Sequence, residues 1–212
     1  MDAMLSVLLG LPMTLAVTAG SLLLGTLLAV PLTLGLQSRH RLVWLVCRTI
    51  VDLVRGVPPI VWLFILFYGI SIGAVRLSAL VAGIGALSIV AAAYLAEIFR
   101  GALKSVHHGQ SEAATALALN RRTVWISVII PQGWRAAIPG YTNYAIALLK
   151  DSSIVSIVGV SEIVNRAAQL SRSTDLGVLI YLLAGVVYVV LSILIGVGSR
   201  AADTRLRARV AA

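Results

Sequence analysis

Three carboxylates lie within otherwise apolar stretches of the chain, and their position makes them candidates for a functional role. Glu97, Asp151 and Glu162 belong to a chain that is 59% hydrophobic and only 12% charged. A charge at membrane depth costs at least about 2.5–3.5 kcal/mol on insertion scales, so such a residue is expected to serve a function. A carboxylate at that depth could hold an ammonium or another cationic group. We therefore treat all three as candidates for contact with a polar solute.

Each of these carboxylates also has a basic neighbour, and pairing with it would make the carboxylate structural. The pairs are Glu97 with Arg100, Asp151 with Lys150, and Glu162 with Arg166 at four residues' distance. Asp151 also precedes Ser152 and Ser153 at an expected helix break, where free backbone groups and a helix dipole can face a polar ligand. The sequence leaves both interpretations open at each position.

Four further polar side chains within apolar stretches are weaker candidates for lining a path across a membrane. They are Tyr68, Tyr94, Asn143 and Tyr144. An interfacial position or a contact between helices is the more ordinary role of such residues, because Tyr is enriched at membrane surfaces and Asn bonds across helices.

Patterns for hydrolysis or for a metal ion are missing from the sequence. No GxxxxGK[ST] phosphate loop occurs, and neither Lys104 nor Lys150 follows a glycine. No HExxH motif and no recognisable Ser/His/Asp arrangement occurs. His107 and His108 are adjacent without further ligands at metal-binding spacing, so they do not predict a metal site. We expect neither enzymatic activity nor a cofactor on this chain.

The composition predicts one membrane domain, residues 1–212. The mean hydropathy is +0.99, and the charged fraction of 12% is about half of what soluble domains carry. The net charge of +9 would suggest nucleic acid in a soluble protein, but charge asymmetry across a membrane explains it better here. The apolar start lacks a basic n-region and is expected to be a span rather than a signal peptide. The lone Cys47 excludes an intramolecular disulfide.

Hydropathy predicts an all-α bundle of about five membrane-spanning helices. The predicted spans are 5–36, 60–72, 77–99, 128–149 and 176–197. Breaks are expected at Pro12, Gly20, Gly25, Pro131 and Pro139. An amphipathic stretch at 42–56 precedes two prolines that are expected to start the next helix, and a polar link is expected at 165–175. The charged stripe of the amphipathic stretch consists of Arg48, Asp52 and Arg55.

Positive charge is distributed unevenly over the links between these spans. The links after the first and third spans and the C-terminal tail hold twelve Lys and Arg residues, and the opposite links hold four. Short cytoplasmic loops are enriched in Lys and Arg, so the N-terminus is predicted outside and the C-terminus inside. The tail is expected to contact anionic lipid through Arg200, Arg205, Arg207 and Arg209.

The longest polar interval, residues 94–139, falls on the cytoplasmic side of this topology. Its centre, Glu112-Ala113-Ala114, is expected on a short helix over 110–119. Alanines permit the close approach of another protein, and a carboxylate can pair with its arginine. The helix therefore predicts a docking surface, with an ordinary alanine-rich connector as the alternative.

The ends of this short helix can be predicted from turn chemistry. Gly109 is expected to break the chain before it. Asn120 is expected to end it in a left-handed conformation, and Thr123 is expected to cap the helix that follows.

The interval resembles the EAA loop of the membrane subunits of bacterial ABC importers. After Glu-Ala-Ala that pattern has Gly, Ile and Leu-Pro at fixed spacing, where this chain has Ala118, Val128 and Ile130-Pro131. Further stretches resemble the polar amino acid permeases, the histidine, glutamate, glutamine, arginine and opine group. They are YLAEIFRG at 94–101, GQ at 109–110, PQ at 131–132, LKDSS at 149–153 and RGVPP at 55–59.

The resemblance implies a mechanism and a set of partners. Two permease subunits, the same chain or related chains, would form the path for an amino acid in the bacterial cytoplasmic membrane. Two ABC ATPase subunits carrying ATP and Mg would dock on the segment at about 101–127, and a solute-binding protein would deliver the substrate. The implied coupling residues are Gly109, Gln110, Glu112, Ala113, Ala114, Ala118 and Pro131. The path candidates are Glu162, Asp151, Ser152, Ser153, Glu97, Tyr94, Tyr68 and Asn143.

Two positions depart from the family pattern. Ala118 replaces glycine and is not expected to supply a left-handed kink, so we predict a milder bend after the docking helix. Ser152 replaces a threonine and keeps the hydroxyl group. A transporter or channel that works without ATP is the alternative function, but it has no need of a docking helix on this link.

Overall fold

The fold is built from helices, as a computed structural model shows for residues 3–69, 71–72, 75–174 and 176–208. The helices are α1 (Ala3–Leu8), α2 (Leu11–Leu36), α3 (Arg41–Gly56), α4 (Pro59–Phe64), α5 (Ala79–Lys104), α6 (Gly109–Ala116), α7 (Arg121–Thr123), α8 (Ile130–Asp151), α9 (Ile163–Arg172) and α10 (Gly177–Ala208). A π-helical turn, Ile65–Gly69, extends α4, and another, Val124–Ile129, leads into α8. Two-residue strands, β1 (Ser71–Ile72) and β2 (Val75–Arg76), pair antiparallel. The predicted all-α membrane bundle is confirmed.

The first predicted span is divided near its start, at Gly10 between α1 and α2. A Cβ added to Gly10 would lie 2.5 Å from the carbonyl carbon of Glu162, so the turn packs directly against another part of the backbone. Pro12 lies in the first turn of α2, where a missing N–H is tolerated. Gly20 and Gly25 lie inside the continuous helix. The break predicted at Pro12 lies two residues earlier, at Gly10, whereas the breaks predicted at Gly20 and Gly25 are wrong.

Helices α2 and α5 run side by side in the same direction. The Ser21 hydroxyl donates to the carbonyl of Ile84 at 3.3 Å, and the Thr33 hydroxyl donates to that of Ala96 at 3.4 Å. The small surface of Gly25, which meets Ala91, lets the two helices approach closely.

Helix α8 runs against α5 and α10 in the opposite direction. Gly133 packs on Leu103, and Gly140, further along α8, packs on Ile98, which comes earlier in α5. The two helices are therefore antiparallel. The hydroxyl of Thr142 on α8 hydrogen-bonds that of Ser199 on α10. The C-terminal ends of α2, α5 and α10 therefore lie at one end of the bundle.

Helices α3 and α4 form one bent element with an angle of 99° between them. The chain is extended at Val57 and Pro58, and Pro59 lies in the first turn of α4, as its sequence predicts. The indole N–H of Trp62 on α4 donates to the carbonyl of Val54 on α3 at 3.3 Å, and this hydrogen bond connects the two helices across the bend.

The region after α5 departs from the predicted pattern of spans and links. Pro131 lies in the first turn of α8, where the π-helical turn changes to α-helix, and Pro139 lies inside α8, which continues past it, so the interruption predicted at Pro139 is wrong. A 3₁₀ helix, Ser152–Val158, follows and ends at Gly159 with φ of 89°. The link predicted at 165–175 is helical up to Arg172, and Asp175 lies outside the described residues.

Three described helical stretches are long and apolar enough to cross a membrane. They are Ala3–Leu36, Ala79–Lys104 and Gly177–Ala201, and the bent pair of α3 and α4 is a fourth if it counts as one span. Helix α8 has 22 residues but is more polar. The number of five spans stays a prediction, in which α8 is the fifth.

Candidate functional site

The predicted docking helix is α6, and it presents its charged residue to solvent. The Glu112 side chain is 74% exposed, and its Oε1 lies 3.9 Å from Nε2 of His108. Ala113 is exposed as well, whereas Ala114 is only 3% exposed. In the Glu-Ala-Ala sequence, Glu112 and Ala113 are thus exposed to solvent, and the buried Ala114 anchors the helix.

The first turn of α6 is joined to the first turn of α8. The amide of Gln132, which follows Pro131, donates to the side-chain oxygen of Gln110 at 3.2 Å. Gly109 is the first residue of α6 rather than a break before it, and its N–H donates to Nδ1 of His107 at 3.1 Å. The hydrogen bond between Gln132 and Gln110 connects α6 to a helix of the bundle.

The end of α6 corrects two predictions. The helix ends at Ala116, and the left-handed residue after it is Ala118, with φ of 53°, rather than Asn120. The milder bend predicted for alanine at position 118 is wrong, because Ala118 adopts the conformation expected of the family's glycine. The left-handed conformation costs an L-residue roughly 1–2 kcal/mol.

The helix after this turn begins with a cap that differs from the predicted one. Asn120 is extended, and its Oδ1 accepts the N–H of Thr123 at 2.9 Å. The cap is therefore Asn120, and the prediction of Thr123 as the cap is wrong. Leu117, next to the turn, is 73% exposed and adds apolar surface beside α6.

Glu97 pairs with two arginines. Nη2 of Arg100 lies 2.5 Å from one carboxylate oxygen, and Nη1 of Arg48 lies 3.0 Å from the other. The pairing with Arg100 is confirmed. Arg48 was missed because 49 residues separate it from Glu97, although its place on the polar stripe of α3 was visible in the sequence. Arg48 also pairs with Asp52 at 2.7 Å, so the network fastens α3 to α5.

Tyr94 belongs to a row of aromatic and cationic groups one turn before Glu97. The guanidinium carbon of Arg55 lies 5.0 Å from the centroid of the Tyr94 ring, and that ring stacks on Tyr144 at 5.5 Å. Tyr144 is 9% exposed, and its hydroxyl has no hydrogen-bond partner among the described residues. The row therefore places a cation over one of two stacked rings, and the buried Tyr144 hydroxyl lies at its inner end.

Glu162 is fully buried, with its oxygens held by this chain. One oxygen accepts the N–H of Asn165 at 2.7 Å and caps α9, and the other accepts the hydroxyl of Tyr188 at 2.7 Å. The adjacent N–H of Ile163 donates to the hydroxyl of Thr14 at 3.2 Å. The cluster joins α9 to α10 and to the start of α2.

The alternative predicted for Glu162 was an ion pair with Arg166, and it is wrong. The ion pairs among the described residues do not include one between these two side chains. The side chain instead accepts bonds from Asn165, three residues on, and from Tyr188, which lies far away in sequence on α10. Only the position of Glu162 before a helix start could have pointed to a cap.

The remaining path candidates have different environments. Asp151 is the last residue of α8, is half-buried, and forms no ion pair with Lys150 among those of the described residues. The hydroxyls of Ser152 and Ser153 donate to carbonyls three residues earlier at 2.7 and 2.8 Å. The predicted helix break is here a change from α to 3₁₀ helix. Asn143 is exposed on α8.

The path candidates do not form one cluster. Tyr94 and Glu97 lie where α3 meets α5, and Glu162 lies at the start of α9. Tyr68 is exposed and packs its ring on Phe67 at 4.9 Å. Within the described part of the chain, no group of three or more His, Cys, Asp or Glu side chains could hold a metal ion.

An apolar helical bundle with three long apolar helices and an exposed polar helix at one end has the architecture of a membrane protein. The family model described as "Binding-protein-dependent transport system inner membrane component" matches residues 5–208. The chain belongs to this family.

Similar proteins include permeases from several bacteria. The chain is 30% identical to the arginine ABC transporter permease protein ArtQ of Haemophilus influenzae, over 91% of this chain and 90% of that one. It is 34% identical to the octopine transport system permease protein OccM of Rhizobium radiobacter, over 88% and 80%. It is 31% identical to the histidine/lysine/arginine/ornithine transport system permease protein HisQ of Escherichia coli, over 87% and 86%.

Solved structures share the fold. A crystal structure of an amino acid ABC transporter with histidines matches with a TM-score of 0.87 at 29% identity, covering 94% of both chains. An inward-facing form of the MetNI methionine ABC transporter matches with a TM-score of 0.80 at 21% identity, covering 97% of this chain and 99% of that one. At 21% identity, the second match supports only the similarity of the fold.

Proposed function

We propose that this chain is the permease subunit of an ATP-driven importer of a polar or charged amino acid. The observation that carries the proposal is α6, a helix with an exposed Glu112 and Ala113 that Ala114 and the Gln110–Gln132 hydrogen bond fix to the bundle. Such a helix is suited to receive a motor protein. The names of the relatives refer to the transport of arginine, of octopine, and of histidine, lysine, arginine and ornithine, and they support an amino acid as the cargo.

The partner that docks on α6 is a separate ABC ATPase, which carries the ATP and Mg. The Glu112 carboxylate can pair with an arginine of that subunit, and Ala113 and Leu117 supply adjoining apolar surface. Gly109, Gln110, Ala118 and Pro131 hold the geometry of this surface. Closure of two ATPase subunits would pull on α6, and the contact between Gln110 and Gln132 would pass the movement to α8.

The assembly contains two permease subunits, the same chain or related chains, and a solute-binding protein outside the bacterial cytoplasmic membrane. The N-terminus lies outside and the C-terminus inside. The shared end of α2, α5 and α10 supports this orientation, because the adjoining links and tail carry twelve of the seventeen Lys and Arg residues.

The substrate path follows the faces of α5 and α8 that carry Tyr94 and Tyr144. Arg55, over the Tyr94 ring, is suited to attract the carboxylate of an amino acid. Asp151, at the end of α8, is suited to attract its ammonium.

The docking proposal is tested by substituting Glu112 with Lys. We expect the Glu112→Lys variant to insert normally into the membrane. On co-purification it should bring down at least tenfold less ATPase subunit than the wild type, because a positive charge then faces the arginine of the ATPase. Gln169→Lys, which places a new lysine at an exposed residue of α9, is the control and should retain the ATPase. Equal retention in both variants contradicts the docking assignment.

A further inference from the structure

An apolar groove of about 220 Å³ opens between α2, α5 and α8 at the end of the bundle that carries α6. It is not one of the surfaces used by the proposed docking or path. Its walls are aliphatic and aromatic, and they include Val30, Leu34, Phe99, Leu103, Trp125 and Trp134.

The hydroxyl groups in these walls already have partners within the chain. The Thr26 hydroxyl donates to the carbonyl of Leu22 at 2.6 Å, and the Thr33 hydroxyl donates to that of Ala29 at 2.7 Å. An amino acid would therefore leave its ammonium and carboxylate unpaired in this groove, at a cost of several kcal/mol. The groove suits a hydrocarbon chain instead.

Basic residues lie close in sequence to lining residues of the groove. Lys104 directly follows Leu103, and Arg121 and Arg122 lie about one helical turn before Trp125. All three are exposed, and none takes part in the ion pairs of the described residues. Trp125 and Trp134 are side chains typical of the membrane interface. An apolar groove with tryptophans and cations beside it is complementary to an anionic lipid.

We propose that this groove binds one acyl chain of an anionic phospholipid of the cytoplasmic leaflet, with the phosphate near Lys104, Arg121 and Arg122. The leaflet follows from the proposed orientation, whereas the lipid site itself does not depend on it. Because Trp125 lies in the segment between α6 and α8, the lipid braces the docking segment against α2 and α5. Anionic lipid thereby supports the connection between α6 and the bundle.

The test uses the full chain in vesicles of phosphatidylcholine that contain a small fraction of lipid brominated on its acyl chains. Bromine quenches tryptophan on contact, so the difference between the wild-type chain and the Trp125→Phe/Trp134→Phe variant isolates the signal of the groove. We expect brominated phosphatidylglycerol to quench that signal at a lower mole fraction than brominated phosphatidylcholine does.

Two sets of variants locate the site. Arg121→Gln and Arg122→Gln should each lower the preference for phosphatidylglycerol about fivefold, whereas Arg172→Gln on α9 should leave it unchanged. Val30→Phe should fill the groove and reduce quenching of Trp125 and Trp134, whereas Leu28→Phe on the same helix should not.

Two results would overturn the proposal. Equal quenching by both lipids would mean that the groove has no specific lipid. Protection of both tryptophans from either lipid would mean that a protein surface, such as a second copy of the chain, covers the groove. Neither result bears on ATPase docking, which the retention of the ATPase subunit measures separately.

Discussion

At Ala118 the local residue type and the required backbone conformation conflict. The turn after α6 needs a left-handed residue, and the chain supplies an alanine with φ of 53°. The contacts around the turn impose this conformation, including the bond from the Leu119 N–H to the carbonyl of Ala114 at 3.0 Å. The sequence alone suggested a milder bend, because residue type shows the cost of a conformation and not whether packing will enforce it.

The Ala118→Gly variant should make α6 more stable. Glycine relieves roughly 1–2 kcal/mol of strain in the left-handed conformation. It costs about 0.4–1 kcal/mol, because it raises the conformational entropy of the unfolded chain. We expect amide hydrogen exchange in residues 109–117 to slow about two- to fivefold. Ala118→Val should speed it, because a β-branched residue tolerates this conformation less well. Unchanged exchange in both variants would show that the turn carries no strain.

Glu162 was expected to face either a substrate or Arg166, and its geometry is that of a helix cap instead. Its two oxygens accept bonds from Asn165 and Tyr188 in the interior of the protein. Contact with a substrate stays a prediction, and the geometry favours a structural role.

Removal of the Glu162 carboxylate should therefore cost stability. Glu162→Ala leaves two half-buried donors unpaired, at up to about 1–3 kcal/mol each, and should lower the melting temperature in detergent. Glu162→Gln keeps an acceptor oxygen and should lose less. If Glu162→Ala melts like the wild type but shifts the substrate concentration that stimulates the ATPase, the residue contacts substrate.

At the scale of the element, apolar stretches and starting prolines were sufficient to place most helices. Helix α5 and the bent pair of α3 and α4 follow from hydropathy and from Pro59. The breaks expected at Gly25 and Pro139 failed for a common reason. Residue propensity measures a local cost, and packing against neighbouring helices in the bundle offsets it. Partners such as Arg48 for Glu97 could not be predicted, since they depend on which helices become neighbours.

Close packing of α2 on α5 makes Gly25 sensitive to any side chain. Gly25→Ala brings a methyl group against Ala91 and against the carbonyl of Ser88 at 3.2 Å, and should destabilise the bundle by about 1–3 kcal/mol. Gly185→Ala is the matched control, because nothing lies within 4 Å of its added Cβ on α10. Equal melting temperatures for the two variants would contradict the packing of α2 on α5.

At the scale of the whole molecule, the directions of the helices and the distribution of positive charge indicate the same end of the bundle as the cytoplasmic end. The bundle brings the C-terminal ends of α2, α5 and α10 together, and α6 follows α5 at that same end. The charge count had assigned these links to the cytoplasm without knowledge of the packing. The two arguments are independent, because one uses contacts between helices and the other only composition.

This orientation can be measured by labelling cysteines in a Cys47→Ser background with an impermeant maleimide. Ser173→Cys, at an exposed position after α9, should react in intact cells. Ser111→Cys, at an exposed position in α6, should react only after the membrane is permeabilised. The reverse pattern would invert the topology and remove α6 from the reach of a cytoplasmic ATPase.

The central claim is that this chain couples amino acid transport to a separate ATPase through α6. The most direct measurement is uptake of a radiolabelled amino acid into vesicles that contain the permease, its ATPase and its binding protein, with and without ATP. We predict uptake only with ATP, near-complete loss in Glu112→Lys, and retention in Gln169→Lys. Uptake that persists without ATP, or that survives Glu112→Lys unchanged, would contradict the claim and indicate an ATP-independent transporter or channel.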